Sequence, residues 1–551
     1  MNSLAPRDAT MYWLSARTRN DLFLLYCFAD TGRSTARLRA EVAVRVAGIP
    51  DLLVRVLDAP ANIAYPIWAN CEFTPDQFID HELPDATWAD VTSALGDLLG
   101  TGVRAAHRPW RLHTFRGVTG APGFAPGEPA LVVVLQLSHA LADGRRAAAL
   151  ARALFDEPAT TDSESASGGE LEISSAPGGF DAASLARAAP AGIGAAVAGI
   201  SGALEGVARR AVRRVVPSGA IAGVPIDGWT ATAAALPVVP IDMARTVIRG
   251  VAAFRAERRL ADLAAAGAVS PPPPGAPPNL LNGGGSSPSA HAVRMLVHDA
   301  EALRVPGYTV TVVAATAISL ALQRYLAQRT ESVGVRTESV GVRTESVGER
   351  TESVGERTES VGERTESVDG RTEPAETLLA QIPMAVAASG RARNSYSDLS
   401  VDLAVHEPML SRRADLIAAE LAVRRERAQH PLQEARSRVA DAMPARVLHG
   451  DVTHYPIGSL PERVSGHTVL SSVHRGPADL SFGAGRVRFT AGFPGLGSVM
   501  HLTHGVHGLG DTVTISVHAD PAVLPDLDDY ADLLNVALSE VTSSLRESAS
   551  P

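Results

Sequence analysis

The chain has 551 residues, enough for two domains of ordinary size, each with its own hydrophobic core. Its net charge is −10, and no basic cluster is arranged to follow a phosphate backbone, so nucleic acid is not expected as the main partner. All 50 basic residues are arginine, and this absence of lysine excludes a P-loop nucleotide site and a pyridoxal-phosphate enzyme, since both need a lysine.

The first 155 residues alternate strand and helix patterns, which predicts a mixed α/β unit. Strands are expected at 21–28, 110–116 and 131–137, and a helix at 34–46. The run at 131–137 is almost wholly apolar and β-branched, which indicates a strand covered on both faces.

The two cysteines, Cys27 and Cys71, have neither C-x-x-C nor zinc spacing. Cys27 lies inside an apolar run, where a buried reduced thiol is expected. The N-terminal residues lack a charged region followed by an apolar core. We therefore expect a cytoplasmic protein without a signal peptide.

The segment directly after the strand at 131–137 carries the chemistry. Its sequence is Ser-His-Ala-Leu-Ala-Asp-Gly, so His139 lies four residues before Asp143, and Gly144 follows. An imidazole here can take a proton from a hydroxyl near pH 7. Gly144 is expected to permit a tight bend before a helix at 145–154, and Ser138 is expected on the opposite strand face from His139. A strand-end histidine satisfied by a neighbouring carboxylate explains the same residues equally well.

The middle of the chain changes in composition. Residues 157–177 are rich in Ser, Glu, Gly, Thr and Pro and are expected to form a loop. A first helix is predicted at 199–216, with four arginines within two turns: Arg209, Arg210, Arg213 and Arg214. A second is predicted at 241–266, with one apolar face formed by Met243, Val247, Ile248, Val251 and Phe254. These helices either touch an anionic membrane or lipid droplet in a salt-sensitive way, or pack on the core with solvated arginines. A Pro/Gly-rich linker at 271–287 then marks the boundary of the second half.

The second half is again a mixture of strands and helices. The expected elements are strands at 291–302, 378–386 and 468–473, and helices at 309–326, at 411–429 and from residue 527. The uncharged stretches at 188–204 and 305–323 are not apolar enough to predict a bilayer span.

Six consecutive seven-residue units occupy residues 329–370 and begin as Arg-Thr-Glu-Ser-Val-Gly-Val. They lack the a/d apolar seam of a coiled coil. Their composition predicts a disordered insertion in a surface loop, which can be replaced by a short linker at little cost.

The chain contains one further histidine pattern. His501, His504 and His507 are spaced by three and raise the possibility of a metal site, but no cysteine or carboxylate ligand is nearby in sequence. The chain has no G-x-S-x-G elbow, no H-E-x-x-H pair and no dinucleotide-binding glycine motif. No resident metal or cofactor is therefore expected.

Several motifs, taken in chain order, resemble the wax ester synthase/diacylglycerol acyltransferase family, which shares the H-H-x-x-x-D-G site of coenzyme-A-dependent acyltransferases. The matching segments are 5–9 (Ala-Pro-Arg-Asp-Ala), 65–68 (Tyr-Pro-Ile-Trp), 78–84, 108–117, 138–144, 308–313 and 470–477. Four residues depart from the family pattern. Ser138 stands in place of the first histidine, Thr311 and Val312 in place of an Asn-Asp pair, and Ser472 in place of an asparagine.

The resemblance implies an α/β (α+β) protein with two coenzyme-A-dependent acyltransferase-like domains and a substrate tunnel between them. These would be residues 1–155 and 286–551, separated by 156–285. A long-chain acyl-CoA would be the co-substrate and a diacylglycerol or fatty alcohol the acceptor, with possible peripheral contact to the inner membrane or lipid droplets.

The resemblance also implies roles for the site residues. His139 would deprotonate the acceptor hydroxyl, which then attacks the thioester without a covalent acyl-enzyme. Asp143 would hold the loop by pairing with an arginine, with Ser138 and Gly144 in support. Ser471 and Ser472 are candidates to stabilise the oxyanion.

Two alternatives stay open, of which the first is motivated by the departures at the motif positions. One is a catalytically impaired paralogue that binds lipid or associates with droplets. The other is a transferase that makes esters or amides from a carrier-bound acyl group. Product analysis with labelled palmitoyl-CoA and a panel of acceptors distinguishes the three.

Overall fold

The computed structural model describes residues 2–156, 238–283, 288, 290–348, 377–386 and 391–549. The strands in these ranges are β1 (Asn2–Ser3), β2 (Leu22–Ala29), β3 (Val54–Leu57), β4 (Ile67–Asn70), β5 (Phe78–His81), β6 (Trp110–Val118), β7 (Ala130–Leu137), β8 (Ala292–Asp299), β9 (Leu379–Ala385), β10 (Tyr396–Asp402), β11 (Thr468–His474), β12 (Ser481–Phe482), β13 (Gly485–Gly492), β14 (Leu502–Leu509) and β15 (Thr512–Ala519).

The helices in the same ranges are α1 (Pro6–Leu14), α2 (Thr35–Ala47), α3 (Trp88–Leu99), α4 (Gly144–Phe155), α5 (Val238–Ala265), α6 (Ala300–Leu303), α7 (Val310–Gly348), α8 (Leu410–Ala428), α9 (Glu434–Ala442), α10 (Ala445–His454) and α11 (Leu527–Ala549). Single 3₁₀ turns lie at Pro50–Leu52, Pro60–Asn62, Pro75–Gln77 and Pro431–Gln433.

The first six-stranded sheet is built around β7. Its strand order is β12-β13-β2-β7-β6-β5, and β7 pairs antiparallel with both β2 and β6. All eight residues of β7 are buried, as its continuous apolar run predicts. Helices α2 and α4 cover one face of this sheet. The strands and helices predicted for this half therefore lie where they were expected.

The second six-stranded sheet has the order β10-β9-β11-β14-β15-β8. One of its faces packs against α7, α8 and α11 in a single large core, which includes Ile318, Ile417 and Leu534. The strands and helices expected in the second half are therefore also present, except that the strand predicted at 291–302 ends at Asp299 and gives way to the short helix α6.

The opposite face of the second sheet meets the first half. Val293 and Met295 of β8 share a buried cluster with Phe23, Leu25 and Val134 of the first sheet. This contact places the inner face of the second sheet, which is the face turned to the first half, beside β2 and β7, and β7 leads to His139.

The two halves also exchange chain. Strand β13 pairs antiparallel with β2, and β12 extends this edge of the first sheet. Residues 481–492 therefore complete the first sheet, although they follow the predicted boundary by about two hundred residues. Because strand pairing ties the halves together, a site between them is held by backbone hydrogen bonds as well as by packing.

Helix α5 is found close to its predicted bounds, but among the residues that the structure describes the large side chains of its apolar face are exposed. Val247, Ile248, Val251 and Phe254 are 45–70% exposed, whereas the buried residues are Ala253, Ala256 and Leu260. The small-residue side packs toward α9, so the helix approaches its neighbours closely and leaves the large side chains outside. The predicted loop at 157–177 and the helix with the arginine cluster at 209–214 lie outside the described residues.

Helix α7 begins as a core helix and continues into the repeats. The window Val310–Thr330 is long and apolar enough to cross a membrane by length and composition alone, but 72% of it is buried inside the protein. It is therefore a core helix of the second half.

The prediction of disorder is wrong for the first repeat units, since α7 continues as a helix through Gly348. Extending an existing helix avoids the cost of nucleation, and arginine and glutamate are good helix formers. The units from residue 349 onward lie outside the described residues. Arg329 forms an ion pair with Asp526 at 3.2 Å, so the packed part of the helix includes the start of the first unit.

Replacing residues 336–370 by a short Gly/Ser linker is expected to change the free energy of unfolding by less than about 1 kcal/mol, because loop length contributes little to closure entropy. Urea unfolding measures the change. The control is Leu322→Ala in the buried part of α7, which is expected to cost about 2–5 kcal/mol. A linker variant as unstable as this control would show that the repeats support the fold.

Candidate active site

His139 is presented by the turn that ends β7. The backbone N–H of Ser138 donates to the carbonyl of Pro109 at 2.7 Å, and the N–H of Leu141 donates to the carbonyl of Ser138 at 2.9 Å. These bonds fix the turn to the neighbouring chain. The His139 side chain is buried, with 8% of its surface exposed.

Asn394 fixes the imidazole of His139. Its Oδ1 lies 2.8 Å from Nδ1 of His139, and its Nδ2 donates to the carbonyl of His139 at 2.7 Å and to Asp8 at 2.9 Å. Because both amide hydrogens are used, Asn394 offers only its oxygen to the ring, so Nδ1 must carry the proton. Nε2 then keeps a free lone pair, which is the form that a general base needs.

Asp8, in the first turn of α1, holds the segment that contains Asn394. Its carboxylate accepts the backbone N–H of Arg393 at 2.9 Å and the backbone N–H of Asn394 at 3.0 Å, in addition to the Asn394 amide. Burial raises the pKa of Asp8 to about 6, although these three N–H groups oppose that shift. Asp8 is thus predominantly a carboxylate at pH 7 and orients Asn394.

The side chain of Arg393 also holds the segment that contains Asn394 in place. Its guanidinium lies over the ring of Trp68 at 4.5 Å and forms an ion pair with Asp51 at 3.0 Å. Asp51 also pairs with Arg146 of α4 at 2.5 Å. The segments 5–9 and 65–68, which resemble family motifs, therefore both contact the residues that position His139.

Asp143 holds the turn, but not in the predicted way. It accepts the backbone N–H of Arg146 at 2.9 Å as the N-cap of α4, and the backbone N–H of Ser395 at 2.8 Å. The expected arginine pair is not found among the described residues, because the guanidinium of Arg146 is turned to Asp51 instead. A capping carboxylate also places its charge at the positive end of the helix.

Gly144 is the first residue of α4 and does not form the predicted tight bend. Its φ lies outside the left-handed region, and an added Cβ would lie 3.8 Å from Cγ2 of Val473, which is ordinary contact. Gly144 is exposed and faces β11 of the second half. The position marks where the two halves approach each other beside the histidine.

The surroundings keep His139 neutral. Burial lowers its pKa below the ordinary value, and Arg7 also lowers it, while the hydrogen bond to Asn394 and the charge of Asp143 act in the opposite direction. The ring of Tyr396 lies 5.7 Å from the His139 ring. At pH 7 the imidazole is therefore an unprotonated base.

Ser138 is buried and takes part only in local bonds. Its Oγ accepts the backbone N–H of Ala140 at 3.4 Å, and no hydrogen bond of its side chain in the described residues reaches the His139 ring. This is consistent with a supporting role for Ser138.

Ser471 and Ser472 lie on opposite faces of β11. In the strand register, Val469 of β11 lies beside Gln381 of β9, so Ser471, two residues later, lies level with Pro383. Pro383 pairs with Asp398 of β10, and Ser471 and Asp398 are therefore on the same face of the sheet. This is the face turned to the first half. Ser472 lies on the other face, toward α7.

The other face of β11 brings together two of the residues that depart from the family pattern. The hydroxyl of Thr311 donates to the Oγ of Ser472 at 2.9 Å. Of the two predicted oxyanion candidates, only Ser471 is therefore on the side of His139.

The three histidines near residue 504 do not form a metal site. His501 pairs with Asp520 at 2.8 Å, and His504 is bonded to Thr468 and to the hydroxyl of Tyr530. His507 lies on the opposite face of β14 from His504. Among the residues that the structure describes, no cluster of three or more His, Cys, Asp or Glu is placed to hold a metal ion.

Asn394, Asp8 and Trp68 were not singled out as site residues by the sequence. Asn394 is 255 residues from His139, so its partner cannot be inferred from spacing. The available signal was the pair of segments 5–9 and 65–68, whose resemblance to family motifs had no assigned role.

Comparison with solved structures identifies the fold. The wax ester synthase/diacylglycerol acyltransferase from Marinobacter aquaeolei VT8 is 15% identical, with a TM-score of 0.54 over 99% of this chain and 100% of that chain. The starter condensation domain of rhizomide synthetase RzmA, in complex with C8-CoA and Leu-SNAC, is 11% identical, with a TM-score of 0.48 over 98% of this chain and 94% of that chain.

The first condensation domain of the calcium-dependent antibiotic synthetase is 14% identical, with a TM-score of 0.47 over 99% of this chain and 96% of that chain. No protein-family model and no curated protein sequence matches this chain. The likeness to the Marinobacter protein confirms the predicted α+β fold of two acyltransferase-like halves.

Proposed function

We propose that this protein is an acyl-CoA-dependent O-acyltransferase, which moves a long-chain acyl group to a hydroxyl of a diacylglycerol or a fatty alcohol. The observation that carries the proposal is the commitment of Nδ1 of His139 to Asn394, which leaves Nε2 as a base between the two halves. The fold shared with a wax ester synthase/diacylglycerol acyltransferase supports the reaction class.

In the proposed reaction, Nε2 of His139 takes the proton of the acceptor hydroxyl as its oxygen attacks the thioester carbonyl. The C–O bond forms, and the carbonyl becomes a tetrahedral oxyanion. The C–S bond then breaks, and the imidazolium returns the proton to the departing thiolate of coenzyme A. The charge of Asp143 stabilises the transient imidazolium, and no covalent acyl-enzyme is needed.

Ser471 is the proposed hydroxyl donor to the oxyanion. It is half-buried on the inner face of the second sheet, on the same face as Val473, which approaches Gly144 at the start of α4. Ser472 is less suitable because its hydroxyl is bonded to Thr311 on the far face. A hydroxyl fixed on a strand acts without reorganisation during the reaction.

The test is incubation of the purified full chain with labelled palmitoyl-CoA and a panel of glycerides, alcohols and amines. Ester formation supports the proposal, and amide formation would instead indicate the related carrier-type chemistry. Release of free coenzyme A without ester indicates only hydrolysis. Lipid binding without any transfer would identify the protein as the non-catalytic lipid-binding alternative.

We also propose that the exposed face of α5 contacts a lipid surface. Its four large apolar side chains, Val247, Ile248, Val251 and Phe254, lie on one side of a helix that also carries five arginines and three acidic residues. Apolar side chains flanked by arginine suit the interface of an anionic membrane or droplet.

The double variant Ile248→Asp/Phe254→Asp is expected to bind anionic phospholipid vesicles at least about tenfold more weakly than the wild type, because burial of such side chains contributes about 1.5–3 kcal/mol each. Vesicle co-sedimentation measures the binding, and high salt should weaken it in the wild type. Val536→Asp, at a similarly exposed position on α11, is the control. Binding that survives both the double variant and high salt would place the contact elsewhere.

A further inference from the structure

Two polar side chains beside His139 have no hydrogen-bond partner in the part of the protein that the structure describes. Tyr396 and Asp398 are two residues apart on β10, so they share the face that is turned to the first half. The Tyr396 ring lies 5.7 Å from that of His139, and Asp398 follows about 7 Å further along the strand. Both are half-buried, so they retain accessible surface deep in the protein.

The nearby cation does not satisfy Asp398. Arg7 donates from one guanidinium nitrogen to the backbone carbonyl of Asn394 at 3.1 Å, and its guanidinium lies 5.9 Å from the centre of the Tyr396 ring. Within the described ranges Asp398 has no ion pair. Burial raises the pKa of Asp398 to about 8, and Arg7 offsets only part of this shift. The carboxyl therefore retains unused hydrogen-bonding capacity two residues along β10 from Tyr396, on the same face of the sheet.

The acyl chain is a poor occupant for this position. Hydrocarbon offers no polar hydrogen, so an acyl chain packed here would leave the Asp398 carboxyl and the Tyr396 hydroxyl buried without partners, which is unfavourable. Coenzyme A is also a poor occupant. The guanidinium of Arg7 already donates to the carbonyl of Asn394 and interacts with Asp8 and Asp441, so it is not free to bind a polyanion.

The acyl acceptor is the remaining substrate. We infer that Asp398 and Tyr396 form an acceptor subsite, which binds a second polar hydrogen-bond donor, a hydroxyl or an ammonium, a few bonds from the hydroxyl that His139 deprotonates. This inference rests on the proposed O-acyl transfer and revises its acceptor class, because neither a diacylglycerol nor a simple fatty alcohol carries a second hydrogen-bond donor, whereas a diol, a monoacylglycerol or an amino alcohol does. Acceptors with two polar groups at one end are preferred over a simple fatty alcohol of the same length.

The experiment measures kcat/KM of the full chain with palmitoyl-CoA and a matched set of acceptors. The set is 1-hexadecanol, the 1,2-, 1,3- and 1,4-hexadecanediols, and 2-amino-1-hexadecanol, which separates an ammonium from a second hydroxyl. We expect the wild type to prefer at least one difunctional acceptor over 1-hexadecanol by about tenfold, the effect of satisfying one buried polar group with a hydrogen bond.

Two variants test the residue itself. Asp398→Leu is expected to abolish the preference, and Asp398→Asn, which keeps the shape and an acceptor oxygen, to reduce it at least about threefold. Asp402→Asn is the matched control. Asp402 lies on the same face of β10, and its carboxylate accepts the backbone N–H of Ala404, a bond that asparagine can also make. This control should leave the preference unchanged.

Three results would overturn the inference. An unchanged preference in both Asp398 variants would show that the carboxyl only balances the charge of Arg7. A raised KM for palmitoyl-CoA with an unchanged acceptor preference would assign the subsite to coenzyme A. Equal use of all acceptors by the wild type would show that the site does not recognise a second hydrogen-bond donor on the acceptor.

Failure of the wild type to acylate any of these acceptors or a 1,2-diacylglycerol would instead contradict the proposed function. The subsite would then be tested by isothermal titration of the wild type and of Asp398→Leu with the same diols and alcohol. Equal affinities in the two proteins would reject it.

Discussion

His139→Ala is expected to lower kcat by roughly a hundred- to ten-thousandfold, the usual contribution of a positioned general base. The proton would be taken by the lone pair on Nε2 of His139, which is free because Nδ1 is hydrogen-bonded to Asn394. The measurement is turnover with saturating palmitoyl-CoA and acceptor.

The matched control is Ser138→Ala, at the neighbouring buried position. Its hydroxyl only accepts a local backbone N–H, so the loss in kcat should be less than about tenfold. If Ser138→Ala abolished transfer while His139→Ala retained it, the assignment of the base would be wrong.

The pH profile adds a second readout to this prediction. Protonated His139 cannot accept the substrate proton, so the rate should fall as the pH decreases through the pKa of the imidazole. Because burial lowers that pKa, the acid limb should lie below pH 6.5, the ordinary value for histidine. An acid limb at or above this value would indicate that the histidine is more exposed, or that another group controls the rate.

Thermal unfolding separates catalysis from stability. In His139→Ala the side-chain oxygen of Asn394 loses its donor, which is expected to cost about 1–3 kcal/mol. His139→Gln keeps an amide that can bond to Asn394, and should recover part of the stability without recovering the rate. A rate loss that followed stability across the two variants would argue against a direct chemical role.

The position of His139 was predictable because it depends on local order. A run of β-branched and apolar residues long enough for one strand specifies β7, and Asp143 caps the helix that follows. Together these place a histidine in the turn at the end of a buried strand. No partner from another part of the chain is needed to infer this much.

The contacts that orient the His139 ring were not predictable, because they are made by distant segments. Asn394 contacts His139 across 255 residues and Asp8 across 386 residues. A single sequence gives no signal for such pairs, and the arginine pair expected for Asp143 was wrong for the same reason, although Asp143 does hold the turn. The guanidinium of Arg146, whose backbone N–H is bonded to Asp143, is paired with Asp51, more than ninety residues away.

Helix α5 shows the limit of periodicity. The apolar spacing of Val247, Ile248, Val251 and Phe254 correctly indicates a helix, but it does not say which face is covered. Here the alanine side packs, because small side chains allow a close approach, and the large apolar side faces outward. The same apolar spacing is therefore found here on an exposed helix face, as contact with a lipid layer requires.

The exchange of β13 was also invisible in the sequence. The first residues of β13 alternate between buried and exposed positions, but the register of this strand with β2 depends on which edge of which sheet is free. The exchange matters for the site because β13 and β11 are separated by only ten residues. Strand β11, which lies in the second sheet on the side of His139, is thus connected by a short segment to a strand of the first sheet.

Asn394→Ala is expected to lower kcat about ten- to a hundredfold, although Asn394 does not touch the substrate. Without its amide, the His139 ring can adopt either tautomer and can rotate, so Nε2 is free and correctly aimed for only part of the time. The free energy of unfolding should fall as well, because Asp8 loses one of its three N–H donors.

Asn282→Ala provides the control for stability. Asn282 is also a buried asparagine, and its amide donates to the backbone carbonyls of Val499 and Gly466 in the second half. It should lose a similar amount of stability and keep its turnover within about twofold. If Asn394→Ala behaved in the same way as this control, Asn394 would be a purely structural residue.

The pH profile of Asn394→Ala distinguishes positioning from loss of packing. By accepting the proton of Nδ1, the oxygen of Asn394 stabilises the imidazolium and raises the pKa of His139 above the value that burial alone would set. Removing the oxygen should therefore lower the pKa further and move the acid limb to lower pH. A weaker base accepts a proton less readily, so the rate on the plateau falls even though more of the histidine is neutral. A reduced rate with an unmoved acid limb would mean that Asn394 acts only through the fold.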